Sequence, residues 1–174
     1  ESFSDITRDR FTWLAVNLLT AILASAVIGF FDATIEQMVP LAILMPIVAS
    51  MGGNAGTQTM TVTVRALATK DLTSSNLTRV LTREVLMACL NGMVLALFSA
   101  VVVFFWFSNV TLAVVFAVGM VVNMVTAGLF GLMIPVGLNK AGIDPAISSS
   151  VFVTTITDVV GFMAFLGLAA WFLI

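Results

Sequence analysis

Five long runs of apolar residues divide the chain: about Trp13 to Phe31, Pro40 to Leu67, Val85 to Phe107, Leu112 to Leu138 and Ala146 to Ile174. Each reaches the roughly 20 residues that a helix needs to cross the hydrocarbon core of a bilayer. Helices are expected because lipid offers unpaired backbone groups no partner, and the alternation of a barrel strand is missing. Asp144-Pro145 pairs a capping residue with a proline at the first helical position, which sets the start of the fifth helix. Ser108-Asn109 predicts a tight turn, and Pro135 predicts a stop or kink near the end of the fourth run. The expected fold is an all-α membrane protein with five transmembrane helices. No internal repeat is evident.

Composition strengthens this picture. Hydrophobic residues make up 60% of the chain and charged residues 9%, with a mean hydropathy of +1.15. Soluble domains carry roughly 25% charged residues, so water is the wrong solvent for most of this surface and lipid is the natural partner. The single Cys89 excludes an intrachain disulfide framework. The absence of histidine removes the commonest general base and transition-metal ligand.

The few charges carry the orientation. Arg8 and Arg10 precede the first run, Arg65, Lys70, Arg79 and Arg83 flank the link between the second and third, and Lys140 lies between the fourth and fifth. A cytoplasmic N-terminus puts all of them on the cytoplasmic side, as the positive-inside rule requires, and leaves the C-terminus outside. Asp32 and Glu36 then belong to an outer loop. These basic residues fit membrane orientation, and nucleic-acid binding has no support.

Against this background Asp158 stands out. It lies 13 residues after Pro145, roughly 20 Å along the fifth helix at 1.5 Å per residue. A carboxylate at such depth costs about 2.5–3.5 kcal/mol on insertion scales. No lysine or arginine lies at similar depth, so the group must face water, bind a cation, or be protonated and hydrogen-bonded within the bundle. Ser150, Thr154, Asp158 and Gly161 follow spacings of four, four and three and share one helical face. Hydroxyls beside a carboxylate suit a hydrated cation, although serine, threonine and glycine also mark helix-packing interfaces.

The second run carries the other constellation, Ser50-Met51-Gly52-Gly53-Asn54-Ala55-Gly56-Thr57-Gln58. Gly52 and Gly56 form a small-xxx-small pair suited to packing. Asn54 and Gln58, with Thr57, Thr59, Thr61 and Thr63, favour a polar cavity wall, and a locally broken helix there would turn carbonyls toward an ion. Asn17, Asn91 and Asn123 are expected to hydrogen-bond between helices, and Glu84 to sit beside Arg83 at the cytoplasmic boundary. An intramembrane enzyme is disfavoured, because a second deep carboxylate and an activated nucleophile are both missing.

Gly52-Gly53-Asn54-Ala55-Gly56-Thr57-Gln58, continuing through Arg65-Ala66-Leu67-Ala68-Thr69-Lys70-Asp71-Leu72, resembles the signature of the MgtE family of magnesium channels and transporters. Asp144-Pro145-Ala146 and Val153-Thr154-Thr155-Ile156-Thr157-Asp158-Val159-Val160-Gly161 resemble the last transmembrane helix of that family. The resemblance implies a homodimer in the cell membrane, with a pore on its two-fold axis lined by the second and fifth helices. It makes Asp158 the magnesium-site aspartate, with Gly53 and Gly56 bringing carbonyls toward the pore and Thr154 and Gly161 lining it. It places Leu67 at a narrow cytoplasmic part of the path and Asp144 at the cytoplasmic mouth, and Asn54, Thr57 and Ser150 are expected to line the pore.

The transported ion and ligand implied is Mg2+, with Mn2+, Co2+ or Ni2+ as further candidates. Residues 1–12 are read as the end of a cytoplasmic connecting helix and 13–174 as the pore domain. The cytoplasmic N-terminal and CBS domains of the family are absent from this chain, which is either a membrane-domain fragment or a short relative. Where the family often has a proline, Val151 stands here, which bears on any break in the fifth helix. The alternative activity is a proton- or sodium-coupled divalent-cation exchanger.

Overall fold

The computed structural model describes residues 2–173 and is helical throughout, without a strand among the described residues. Six helices follow one another: α1 (Phe3–Phe30), α2 (Asp32–Gln37), α3 (Pro40–Ala68), α4 (Leu77–Phe107), α5 (Val110–Lys140) and α6 (Pro145–Phe172). The expected count of five is thus corrected to six. The addition is α2, a single short helix in the link after the first run. Among the described residues four helices, α1, α4, α5 and α6, are long and apolar enough to cross a membrane. The fifth expected span, α3, has the length at 29 residues, but its glycines, threonines and carboxamides dilute its apolar character.

The expected boundary between residues 12 and 13 falls inside α1, which is one uninterrupted helix from Phe3 onward. Glu1 and Ile174, the outer ends of the two expected segments, lie outside the described residues. α4 starts eight residues before the apolar run, because Leu77–Glu84 adds two turns of mixed polarity. Pro135 does not stop its helix, which continues to Lys140. The α4–α5 turn is as tight as expected. Ser108 takes the left-handed conformation at φ 52°, and the Asn109 side chain accepts from the Leu112 amide at 3.0 Å.

α5 is the hub of the bundle and packs against α3, α4 and α6, whereas α1 packs chiefly against α6. Lipid tails are as apolar as leucine, so close approach of backbones, rather than expulsion of water, holds such helices together. Glycines supply that approach. A Cβ on Gly131 of α5 would stand 2.8 Å from the Thr59 Cβ and 3.0 Å from the Gly56 carbonyl oxygen of α3. One on Gly128 would stand 2.6 Å from the Ala88 Cβ of α4. The main apolar core lies between α3, α5 and α6, around Leu41, Leu44, Val48, Phe116, Phe165 and Leu166. Phe116 and Phe165 meet edge to face at 5.4 Å, the arrangement that ring quadrupoles prefer.

Candidate functional site

Asp158 sits mid-way along α6, half-buried, and makes no hydrogen bond or ion pair with any side chain among the described residues. Two turns and one turn before it, Ser150 and Thr154 line a cavity of about 660 Å³ between α1 and α6. Asp9, Arg10 and Asn17 of α1 face the same cavity, with Trp13 and Leu14 between them. Asp158 lies one turn further along α6, beyond the residues that line this cavity. The cavity thus has hydroxyls, both signs of charge and apolar rings around one space. Ser150 and Thr154 are open to this cavity, Asp158 is half-buried one turn further on, and the helix face closes three residues later.

That closure is where Gly161 stands. It is buried, and a Cβ there would lie 2.7 Å from the Asn123 Nδ2 of α5. Within the chain, Gly161 is a point of helix packing, separate from the open face of Ser150 and Thr154. Gly56 is placed likewise. A Cβ on it would stand 2.6 Å from a Val153 methyl of α6, and its carbonyl oxygen lies against Gly131 of α5. Gly53 is different: nothing lies within 4 Å of the position its Cβ would take. Its carbonyl accepts the Thr57 hydroxyl at 2.8 Å.

No break turns the α3 carbonyls outward, because α3 is helical from end to end. The polar surface of α3 is made by side chains instead. Thr57 and Thr61 donate to carbonyls one turn back, at 2.8 Å each. A hydroxyl bonded in this way keeps its lone pairs for a cation or its water. Asn54 donates to the Ser50 hydroxyl at 3.2 Å. Asn54 and Gln58 border a crevice between α3 and α4, together with Asn91. Glu84 lines a second space beside Gln58, Thr59 and Asn91. Glu84, which adjoins Arg83 in sequence, thus borders a space shared with α3.

The remaining expected residues lie at the end of the bundle that carries Arg65, Lys70 and Lys140. Leu67 packs with Leu72, Leu132 and Val136 in a small second core. Asp144 caps α6, its side chain accepting from the Ala146 amide at 3.0 Å, and its carbonyl accepts the Ser148 hydroxyl at 2.8 Å. α6 runs unbroken through Val151, which is buried. Of the three asparagines expected to bond between helices, Asn123 does so: its Nδ2 donates to the Val48 carbonyl of α3 at 3.0 Å. Asn17 and Asn91 border the two crevices instead.

The stretch that holds both constellations, residues 45–168, matches the MgtE family, described as a divalent cation transporter. This chain belongs to the MgtE family. It is 34% identical over 160 residues to the magnesium transporter MgtE of Thermus thermophilus, covering 92% of this chain and 35% of that protein. It is 32% identical over 164 residues to that of Enterococcus faecalis and 30% identical over 164 to that of Bacillus subtilis. Each of those alignments covers 94% of this chain and 36% of the relative. The chain thus spans about a third of the length of these relatives.

Proposed function

We propose that this MgtE-family chain forms the membrane path for a divalent cation, magnesium first, and holds the hydrated ion beside Asp158. The observation that carries this reading is Asp158 itself. It is half-buried in an apolar helix, has no ion-pair partner among the described residues, and lies one turn beyond the hydroxyl of Thr154. Burying an unpaired carboxylate is costly, and of water, a proton or a cation as its completion, a hydrated cation best suits the hydroxyls on the same helix. Similarity to magnesium transporters supports magnesium as that ion.

Magnesium gives up its waters reluctantly and is usually held by one or two carboxylates with several waters kept. A homodimer presents two copies of Asp158, whose formal charge balances one such ion. The open flank of α3, at Gly53, Thr57 and Thr61, supplies oxygen lone pairs for the ion's water shell. The path runs between α3 and α6 of two subunits in the cell membrane. The basic ends of the helices, with Leu67 and Asp144 near them, face the cytoplasm. Binding at Asp158 must be weak enough for exit, which favours contact through water over direct coordination.

The test is magnesium entry into vesicles containing the purified full-length protein, read with an internal magnesium indicator. Asp158→Asn keeps the shape and removes the charge, and flux is expected to fall by an order of magnitude or more, about the effect of losing 1.4 kcal/mol or more of ion binding. Unchanged flux would remove Asp158 from the path. Magnesium current in the absence of a proton or sodium gradient is expected; a strict requirement for either gradient would instead support a coupled exchanger.

A further inference from the structure

A tightly enclosed polar group lies outside the open faces. Asn123 projects from the central helix α5 and is 1% exposed. Its Nδ2 donates to the Val48 carbonyl of α3 at 3.0 Å, while its Oδ1 is buried without a partner among the described residues. Two glycines enclose the amide. A Cβ on Gly52 of α3 would overlap its nitrogen and come within 2.8 Å of Cγ. A Cβ on Gly161 of α6 would come within 2.7 Å of the nitrogen and 3.0 Å of a Val48 methyl. Three helices therefore meet on one side chain, which fits only because two of them present bare backbone to it.

Burial alone does not account for an amide here. An apolar side chain of similar volume fills space without leaving an acceptor unpaired. What the amide adds is direction: a hydrogen bond to one carbonyl fixes both the rotation and the depth of α3 against α5, where apolar contacts permit sliding. Gly52 adjoins Gly53, and Gly161 lies three residues beyond Asp158. Each wall of the candidate path is held within one turn of the groups that face it.

We propose that Asn123 is the positioning residue of this protein, setting the separation and register of α3 and α6, and through them the aperture beside Asp158. The last clause rests on the transport reading above; the positioning itself does not. A methyl at Gly161 must push the amide away by about 0.7 Å to reach ordinary contact. Closely packed interiors pass such strain on to their neighbours, so the displacement reaches α3 through the Val48 bond.

The experiment compares Gly161→Ala, Asn123→Ala and the double variant in the full-length protein. The separation of α3 and α6 is read from electron cryo-microscopy maps, and magnesium and manganese entry from vesicle flux. Gly161→Ala should widen the separation, lower magnesium entry by about tenfold, the equilibrium equivalent of an ordinary overpacking penalty, and change the manganese-to-magnesium ratio. The double variant should restore the separation and most of the flux, because truncating the amide leaves room for the methyl. A merely structural role would lower folded yield and flux together, with the ion ratio unchanged and no recovery in the double variant, and would overturn the proposal. So would a Gly161→Ala protein with wild-type separation. If no form of the protein moves magnesium, the transport reading fails, while the maps still decide the positioning role.

Discussion

Gly131→Ala tests how closely α3 and α5 approach, and Gly137→Ala on the same helix is its internal control. Both replace a glycine in α5 by the best helix former, a gain of about 0.8–1 kcal/mol each in a helix interior. They differ in what the new methyl meets. At Gly137 nothing lies within 4 Å. At Gly131 the methyl arrives 2.8 Å from the Thr59 Cβ and 3.0 Å from the Gly56 carbonyl, about 0.6 Å short of ordinary contact with the first. Neither neighbour is the loose end of a flexible chain, since one is a Cβ and the other backbone. Overpacking of this kind costs about 1–3 kcal/mol. Gly137→Ala should therefore be neutral to stabilising, and Gly131→Ala less stable than it by about 1–3 kcal/mol. Thermal unfolding in detergent, followed by tryptophan fluorescence, is the measurement. A chain of this size shifts its midpoint by roughly 2–4 °C per kcal/mol, so the two variants should separate by several degrees. Equal midpoints would refute the close α3–α5 approach on which the placement of the glycine-rich face depends.

Other consequences are equally direct. Phe165→Ala removes a fully buried ring that meets Phe116 edge to face, and a loss of about 3–5 kcal/mol is expected, seen as a collapse of the monodisperse peak on size-exclusion chromatography after mild heating. Asp144→Ala deletes the cap on the Ala146 amide and should cost about 1 kcal/mol; faster hydrogen exchange confined to the first turn of α6 checks it, and unchanged protection there would contradict the cap.

Most of the candidate site was proposed from residue types and spacing. Asp158 announced itself as a carboxylate too deep to be idle, and the spacing of Ser150 and Thr154 placed them on its face. The polar character of Ser50 to Gln58 was equally plain. Spacing alone, however, could not tell that Gly56 and Gly161 pack inward while Gly53 stays open. Small residues serve close packing and open walls alike, and only the neighbour decides. Asn123 was read as an interhelical hydrogen-bonding residue, but its partner in Val48 and its two covering glycines are separated by long stretches of chain. Glu84 adjoins Arg83 in sequence, and only the packing of α4 shows that it borders a space shared with Gln58 and Thr59 of α3.

Apolar length, the placement of seven basic residues and the residue types of two short stretches were enough to indicate helices, a membrane and a carboxylate deep in the last helix. They could not rank the helices. α1 and α5 are both strongly apolar, yet α1 buries only Ala24 whereas α5 buries about half of its residues. In water a helix shows its inner face as an apolar stripe on a polar background. In lipid the outer face is apolar too, so the stripe disappears from the sequence, and the choice of core over lipid is left to the fit of side chains in three dimensions.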